Sequence, residues 1–399
     1  MSTSPNDMGI LFYDDSPVFG GHEVMSLLGL SAVLEQFAGP VHFMAASANT
    51  KLCEQVAAIA DRHRNLSLIQ LGYHSSKLEA LRNRLLPSRI RTLANQFSQL
   101  QPSHVVAIQG NIEHSSLALH AARQAAIPSA SYIPVPHSNA NMGARFGALR
   151  DLGTSRIFQL PDAFITITDE MAHLLHLRGA AAPIHIVYNG IDTSRFQPGD
   201  PTSACRQLNL PEDKIRLGVI GRIEFRQKQQ HLLVQALAAN PSLASSCHLV
   251  FAGDGPDQPA LSRIIQKYGI SSTHLAWCDP VPLYQALDAL IIPSRYEGLP
   301  LVMLEALSSG TAVLASDRDG MKDLLPPAWR FEPNNPAALA AALEHFIAMH
   351  KPRPDPELVA RVRGTMSLPS FQQAFAKTIL TLAGHFEVLH ASTPSRSTP

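Results

Sequence analysis

The stretch Ser294-Arg295-Tyr296-Glu297-Gly298-Leu299-Pro300-Leu301-Val302-Met303-Leu304-Glu305-Ala306 decides how the rest of the sequence is interpreted. It follows an apolar run, Ala289–Ile292, which is typical of a buried parallel strand. Pro300 suits the first turn of a helix, where a missing N–H costs nothing, and the residues after it are good helix formers. We therefore predict a strand, a loop that carries Glu297, and a helix that carries Glu305 about two turns along.

The two carboxylates of this stretch, Glu297 and Glu305, have a suggestive spacing. At 1.5 Å rise per residue they could lie roughly 10–12 Å apart along the helix axis, comparable to the span from ribose to hexose in a nucleotide sugar. The helix start between them offers free N–H groups and a positive dipole end, which favour phosphate. Two glutamates so spaced also fit a helix cap and a solvated side chain. The spacing alone therefore does not distinguish a ligand site from these structural roles, and the rest of the sequence is needed.

Composition and charge limit the classes of protein. The 399 residues are enough for two domains, and 45% hydrophobic with 16% charged residues predicts a globular protein with a sizeable core. A formal net charge of zero argues against nucleic acid as the main partner. The cysteines form no C-x-x-C pair and indicate a reducing compartment; they are Cys53, Cys205, Cys247 and Cys278.

Targeting and membrane signals are weak in this sequence. The segment Met1–Asp7 lacks a positive region followed by an apolar one, and no apolar run approaches the ~18 residues that span a bilayer. We therefore expect a cytoplasmic protein. The segment Lys77–Phe97 has arginines among leucines and is interrupted by Pro87. It fits either a peripheral contact of Lys77–Arg91 with the inner face of the cytoplasmic membrane or a solvated helix pair.

Short apolar runs alternate with helical stretches along the whole chain, which predicts α/β architecture with doubly wound parallel sheets. The predicted strands are Gly9–Tyr13, Val41–Ala45, Leu66–Gln70, Val105–Gln109, Ala130–Ile133, Ala163–Ile167, Ile184–Val187, Ile215–Ile220, His248–Ala252, Ala289–Ile292 and Ala312–Ala315. A glycine pair, Gly20-Gly21, precedes the first helix and would let a ligand approach the backbone. His137 follows a predicted strand end, where ligands bind in such sheets.

Five motifs together resemble retaining glycosyltransferases of family 4, over most of the chain. They are Gly20-Gly21-His22-Glu23, Val187-Tyr188-Asn189-Gly190-Ile191-Asp192, Gly221-Arg222 with Lys228, Ala252-Gly253-Asp254-Gly255-Pro256, and the Glu297–Glu305 run ending at Gly310-Thr311-Ala312-Val313. The resemblance implies the GT-B fold, with two facing Rossmann-like domains and a cleft. The third glycine of a dinucleotide fingerprint is absent after Gly255, so the dehydrogenase alternative is weak.

The domain boundaries follow from these motifs. We expect an N-terminal acceptor domain over residues 1–190, a linker over 191–212, and a nucleotide-sugar donor domain over 213–366. A C-terminal helix over 367–388 is expected to cross back to the N-terminal domain, and the Ser/Thr/Pro-rich tail, 389–399, is expected to be disordered.

The resemblance also implies roles for individual residues. Glu297 would bind hydroxyls of the donor sugar, and Glu305 the ribose hydroxyls. His137 would lie beside the donor sugar near the reacting carbon. The diphosphate would be held by the clamp residues Arg222 and Lys228 and by backbone of the two glycine-bearing loops, which contain Gly20, Gly21, Gly298, Leu299, Pro300 and Leu301. Cations at the leaving diphosphate stabilise the transition state more than the ground state.

No metal or other cofactor is expected for this reaction. The one D-x-D sequence, Asp317-Arg318-Asp319, lies at the family's glycine-bearing loop, and we interpret it as a loop. Three departures from the family pattern concern the donor site. Gln229 stands where glycine is usual, Asp319 replaces a first glycine and Asp323 a glutamate, and His274–Pro280 lacks the glycine where the base would sit.

The function that follows from the resemblance is transfer of a sugar from a UDP- or GDP-sugar donor, with retention, to a lipid-linked, polysaccharide or other glycan acceptor. Two alternatives stay open. One is a nucleotide-sugar epimerase on the same fold, and the other is a non-catalytic subunit that binds a nucleotide sugar and supports a partner transferase.

Overall fold

The structure is a computed structural model that describes residues 9–276 and 278–384. In this part of the chain the strands form two sheets, one of seven strands and one of six. Strands alternate with helices throughout, so the predicted α/β class with doubly wound parallel sheets is confirmed.

The first sheet has the strand order β3-β2-β1-β4-β5-β6-β7. Its strands are β1 (Ile10–Asp14), β2 (Val41–Ala46), β3 (Leu66–Leu71), β4 (His104–Ile108), β5 (Ser129–Tyr132), β6 (Ala163–Thr166) and β7 (Ile184–Ile186). Strand β1 pairs in parallel with β2 and with β4, and all five of its residues are buried. An apolar strand covered on both faces explains why the sequence run is continuous instead of alternating.

The second sheet repeats this winding with the order β10-β9-β8-β11-β12-β13. Its strands are β8 (Ile215–Ile220), β9 (Cys247–Ala252), β10 (Ser272–Leu275), β11 (Ala289–Ile292), β12 (Ala312–Ser316) and β13 (Arg330–Phe331). All eleven runs predicted as strands are strands. The sequence did not predict β10, which is polar and half-exposed, or β13, which has two residues.

Helices connect the strands of both sheets. They are α1 (Gly21–Gln36), α2 (Thr50–Ala60), α3 (Glu79–Leu85), α4 (Pro87–Leu100), α5 (Ser116–Gln124), α6 (Gly147–Thr154), α7 (Asp169–Leu177), α8 (Pro201–Gln207), α9 (Gln230–Ala238), α10 (Pro241–Ser246), α11 (Gln258–Tyr268), α12 (Pro280–Ala286), α13 (Leu301–Ser308), α14 (Asp319–Leu324), α15 (Pro336–Ala348), α16 (Pro356–Thr365) and α17 (Leu368–Leu382). Pro87 interrupts the basic segment as expected, because it opens α4.

The chain divides into two compact units. The first unit comprises Met1–Tyr132, Leu160–Phe164 and Gln372–Pro399. In its described part, α17 contacts α1 through Phe375: a Cβ at Gly29 would lie 2.4 Å from Cδ1 of this residue, so only glycine lets the aromatic ring approach so closely. The second unit comprises Ile133–Gln159 and Ile165–Phe371. It includes His137 and the whole second sheet.

The Ser294–Ala306 stretch forms the predicted strand-end loop and helix with two adjustments. Pro300 is the residue before α13 and not part of its first turn. Glu305 lies four residues after the helix start, just over one turn, so the expected two turns are wrong. The predicted helix end beyond residue 384 and the Ser/Thr/Pro-rich tail lie outside the described residues.

No helix within residues 9–276 and 278–384 combines the length and apolar character needed to cross a membrane.

Candidate functional site

An ion pair lies at the start of α13. The side chain of Glu297 is 8% exposed, and its Oε1 lies 2.6 Å from Nζ of Lys228. Lys228 approaches from the loop before α9, where Gln229 adopts a left-handed conformation with φ of 50°. The structure therefore brings together two of the predicted site residues, with the charge of Glu297 balanced by a half-buried ammonium.

Asp319 connects this pair to His137. Its Oδ2 accepts a hydrogen bond of 2.8 Å from the N–H of Glu297, and its Oδ1 lies 3.1 Å from Nε2 of His137. The ring of Tyr296 packs edge-on against that imidazole at 5.8 Å between centroids. Asp319 has φ of 54°, the left-handed region that favours glycine, so its carboxylate reaches both partners at a cost in backbone strain.

Gly298 allows the loop to pass close to the segment that carries His137. A Cβ on Gly298 would lie 2.7 Å from Cδ1 of Ile167 and 2.9 Å from the carbonyl oxygen of Pro134. The carbonyl of Leu299, a buried residue, accepts a hydrogen bond of 3.0 Å from the side-chain amide of Asn189. The backbone just before α13 is thus held by close packing at Gly298 and by the hydrogen bond from Asn189 at Leu299.

Glu305 has a different environment one turn into the helix. The hydroxyl of Tyr284 donates a 2.6 Å hydrogen bond to its Oε2, and burial raises the pKa of Glu305 while this hydrogen bond lowers it. Burial, and then the nearby Glu305 charge, raise the pKa of Tyr284 well above its ordinary value, so the phenol stays protonated and donates. The second oxygen, Oε1, is the candidate acceptor for a ligand hydroxyl.

Arg222 is not drawn into the Glu297 cluster. It follows β8 and Gly221, whose φ of 128° favours glycine, and its side chain is 59% exposed. It pairs with Glu224 at 2.7 Å. An exposed guanidinium at the carboxyl end of a parallel strand remains available to an anionic ligand.

The predicted glycine pair belongs to the first unit. Gly20 precedes α1 and its N–H donates a 2.7 Å hydrogen bond to Oε2 of Glu23. Gly21 is exposed and opens the helix, and a Cβ placed on it would meet nothing within 4 Å among the described atoms. Close approach by the protein itself therefore does not explain a glycine at position 21.

The D-x-D carboxylates have other partners. Asp317 pairs with Arg330, while Asp319 contacts His137 and the N–H of Glu297. The segment Asp317-Arg318-Asp319 spans the end of the β12-to-α14 loop and the first helical residue, where the sequence analysis placed it.

Sequence reasoning missed several site residues. Tyr284, Tyr296 and Glu224 carry no motif signal, because their roles depend on which distant element they meet. Asp319 was noticed only as a departure from a glycine position. A carboxylate at a position that requires a left-handed backbone was the available signal that its side chain has a specific partner.

Comparisons with known proteins identify the family. The model of "Glycosyltransferase Family 4" matches residues 26–195, and that of "Glycosyl transferases group 1" matches residues 202–360. Together the two matches take in most of the chain.

Curated relatives share part of this sequence. A D-inositol 3-phosphate glycosyltransferase of Geodermatophilus obscurus is 32% identical over 223 residues, which are 50% of this chain and 48% of that protein. The protein of the same name from Stackebrandtia nassauensis is 34% identical over 43% of this chain and 42% of its own length. The chain thus matches less than half the length of these two relatives.

Solved structures agree on the fold over nearly the whole chain. Anabaena Alr3699/HepE, solved with UDP and glucose, has a TM-score of 0.71 at 18% identity, covering 94% of this chain and 100% of that chain. The lipopolysaccharide outer core galactosyltransferase WaaB has a TM-score of 0.68 at 19% identity, covering 94% and 99%. With parallel sheets of 3-2-1-4-5-6 winding and both family matches in place, the chain belongs to the family 4 glycosyltransferases of the GT-B type.

Proposed function

We propose that this protein is a retaining glycosyltransferase that moves a sugar from a nucleotide-sugar donor to a hydroxyl of an acceptor. The observation that carries the proposal is the connected cluster of Lys228, Glu297, Asp319 and His137 at the start of α13. These side chains combine a cation for phosphate, a carboxylate for sugar hydroxyls and an imidazole beside them.

The leaving group explains why cations are needed. As the bond between the sugar and the diphosphate breaks, negative charge grows on a phosphate oxygen. Lys228, the exposed guanidinium of Arg222 and the free N–H groups of the eight-residue helix α13 would stabilise that charge. Groups that interact more strongly with the transition state than with the bound donor raise the turnover rate.

Lys228 and Glu297 are each expected to change partner when the donor binds. Without a ligand, each charge is compensated by the other at 2.6 Å. A bound diphosphate would attract Lys228, and the carboxylate of Glu297 would then accept hydrogen bonds from the sugar hydroxyls. Asp319 holds the backbone N–H of Glu297 throughout, so the side chain can change partners while its position stays fixed.

Glu305 is the proposed ribose ligand. Tyr284 occupies one of its oxygens, and a carboxylate anchored in this way presents the other oxygen in a defined direction. Because burial raises its pKa, Glu305 takes up a proton at a higher pH than an exposed glutamate does. Donor affinity should therefore decrease on the acid side sooner than an ordinary carboxylate would predict.

We propose UDP as the nucleotide, with GDP as the alternative. UDP is supported by the similar Anabaena fold, which was solved with UDP and with UDP-glucose. Retention is proposed from the family resemblance, and a front-face displacement without a protein nucleophile would fit the side chains of the cluster. The transfer step as proposed uses no metal ion, because Lys228, Arg222 and α13 supply the positive charge.

The proposed acceptor is a lipid-linked, polysaccharide or other glycan hydroxyl. The name of the curated relatives, D-inositol 3-phosphate glycosyltransferase, adds a phosphorylated polyol to the acceptors worth testing. That the Gly20-Gly21 loop of the first unit contributes backbone contacts to a ligand stays a prediction from the family resemblance. A cytoplasmic location remains a prediction.

A peripheral membrane contact through Lys77–Arg91 is also proposed. Four leucines of this segment are between 45% and 69% exposed, namely Leu78, Leu81, Leu85 and Leu86. The exposed cations beside them include Lys77, Arg84 and Arg91, whereas Arg89 is paired with Glu79 at 2.6 Å. Apolar side chains flanked by cations suit an anionic lipid surface.

Co-sedimentation with vesicles rich in anionic lipid tests this membrane contact. Sedimentation of the native protein that is lost in L81S/L85S would support the contact, and equal sedimentation of the variant would refute it.

A panel of nucleotide sugars tests the main proposal. We expect one UDP- or GDP-sugar to raise the melting temperature and to be hydrolysed slowly without acceptor, because a ligand stabilises the folded state according to its affinity. Isotope exchange at the second carbon of the sugar would instead indicate an epimerase. Nucleotide binding with no turnover of any donor or acceptor would indicate a non-catalytic binding subunit.

A further inference from the structure

Three side chains converge at the start of the first unit, outside the cluster described above. Asp14 ends β1, while His22 and Glu23 lie in the first turn of α1. One potential ligand atom from each of the three lies within 4.8 Å of the others. Within the described residues, this is the group of three or more His, Cys, Asp or Glu side chains whose geometry would suit a metal ion.

Each carboxylate is anchored through one oxygen only. Oδ1 of Asp14 accepts a 2.9 Å hydrogen bond from the N–H of Ser16, and Oε2 of Glu23 accepts a 2.7 Å hydrogen bond from the N–H of Gly20. Both side chains are 0% exposed. Their other oxygens, Asp14 Oδ2 and Glu23 Oε1, are buried without a hydrogen-bond partner in the described part of the chain.

The imidazole of His22 forms an ion pair with one of these oxygens and leaves Oδ2 of Asp14 without a hydrogen-bond partner among the described residues. Its Nε2 lies 3.0 Å from Oε1 of Glu23, but neither atom makes an aligned hydrogen bond within the described residues. A single imidazole also cannot compensate two buried carboxylates. Burial of an unpaired charge is costly, and burial raises the pKa of Asp14 to about 8. Near neutral pH this carboxyl therefore holds a proton, which a bound metal ion would replace.

Gly110 makes room for this arrangement. A Cβ at position 110 would lie 2.5 Å from Cε1 and 2.8 Å from Nε2 of His22. The glycine therefore lets the imidazole reach its place beside the two carboxylates. Backbone N–H groups that hold the outer oxygens of two carboxylates resemble the outer-shell contacts that orient ligands in metal sites.

We propose that Asp14, His22 and Glu23 bind a divalent transition-metal ion of the zinc or cobalt type. One imidazole nitrogen and two carboxylate oxygens form a three-ligand set that such ions accept, with a remaining position for water. The ion would tie the end of β1 to the start of α1 and so fix the Gly20-Gly21 loop between them. The transfer step proposed above does not pass through it.

Cobalt binding to the full, tag-free chain tests the site directly. We expect one Co²⁺ per chain, a visible absorption band of the bound ion, and a higher melting temperature with Co²⁺ or Zn²⁺ than in chelator. Removing a ligand in Asp14→Asn or His22→Ala should weaken Co²⁺ binding at least tenfold. Gly110→Ala should weaken it as well, although it removes no ligand, because the added methyl displaces the imidazole.

The matched control is Glu35→Gln, which neutralises an exposed glutamate on the same helix α1 and should leave Co²⁺ binding unchanged. Circular dichroism shows whether each variant is folded, and the near-isosteric Glu23→Gln provides a ligand change with little effect on volume. Absence of the absorption band in the native chain would overturn the proposal. So would equal Co²⁺ affinity in folded Glu23→Gln and native protein. Neither result depends on turnover, so either would leave the proposed transferase function standing.

Discussion

Two strand-to-helix connections of this protein share a local fold but differ in the charged groups that they bring together. The connection from β1 to α1 brings Asp14 and Glu23 beside one imidazole, whereas the connection from β11 to α13 places Glu297 against the ammonium of Lys228. Both follow a buried parallel strand and both precede a helix. The same local fold therefore presents two buried carboxyl groups beside one imidazole in one unit and a carboxylate paired with an ammonium in the other.

The comparison shows that the helix start does not decide the ligand by itself. Each helix offers N–H groups and a positive dipole end, which favour anions. At α1, the Gly20 N–H just before the helix donates to Glu23. The carboxyl oxygens left without a hydrogen bond among the described residues, on Asp14 and Glu23, suit a cation. At α13, Lys228 adds positive charge to that of the helix, and the site suits a diphosphate.

Removing Glu297 tests the second half of this comparison most severely. Glu297→Ala should lower turnover of the donor by about 10²–10³-fold, because a group that interacts with the reacting sugar is lost. The fold should persist, since Lys228 stays partly exposed and can be solvated. Product formation and circular dichroism measure the two effects. Glu344→Ala, an exposed change on α15, is the control; full activity of Glu297→Ala would remove this residue from the site.

Removing the exposed guanidinium of Arg222 should have the next largest effect on turnover of the donor. Arg222→Ala should lower kcat/KM for the donor about 10–100-fold, the range expected for losing a hydrogen bond to a charged group. Donor binding and turnover should weaken together. Arg263→Ala, on the surface of α11, is the matched control. Unchanged donor affinity, measured by calorimetry, would mean that Lys228 and α13 bind the diphosphate without Arg222.

The acid side of donor binding reports on Glu305. Its pKa is raised by burial and lowered by the Tyr284 hydrogen bond, so Tyr284→Phe should raise it further. A ribose hydroxyl donates to the ionised form, so affinity for UDP should be lost at a higher pH in the variant than in the native protein. A displacement of one pKa unit corresponds to about a tenfold change in affinity on the acid limb. Tyr268→Phe, at an exposed tyrosine, should leave the pH profile unchanged.

The smallest expected effects compare two left-handed residues of the second unit. Gln229→Gly relieves a φ of 50° but loses the exposed hydrogen bond to Asn334 and adds freedom to the unfolded chain, so it should stabilise the chain by less than about 1 kcal/mol. Asp319→Gly relieves a φ of 54° but removes a charged hydrogen bond and the contact with His137. The two losses should exceed the gain, so the free energy of unfolding should fall by about 1 kcal/mol. Urea unfolding measures both. Equal stabilisation by the two changes would show that the Asp319 contacts contribute nothing to stability.

Much of the fold was predictable because burial leaves a periodic record in the sequence. Continuous apolar runs such as Ala289–Ile292 require a strand covered on both faces, and every such run became a strand. The polar strand β10 and the two-residue β13 left no such record, because pairing with a neighbour, not burial, makes them strands. The position of Glu305 was misjudged: α13 begins at Leu301, so Glu305 lies four residues after the helix start and not two turns along it.

The candidate site was predictable only where a motif carries it. Glu297, Lys228 and His137 were proposed from the family pattern, and their proximity needs the fold. Tyr284 reaches Glu305 from a different helix, 21 positions earlier, and nothing local in the sequence marks it. The pairing of Arg222 with Glu224 likewise depends on where the turn after Gly221 directs each side chain.

The sequence by itself determined the α/β winding, the family and the residue types at the two strand-to-helix connections, because apolar periodicity and glycine positions are local properties. Only the tertiary structure decided how the charges are balanced. Asp319, after β12, meets Glu297 after β11 and His137 after β5, and Asp14 meets His22 and Glu23 across a loop. Electrostatic energy depends on distance in space and on burial, and neither can be read from separation along the chain.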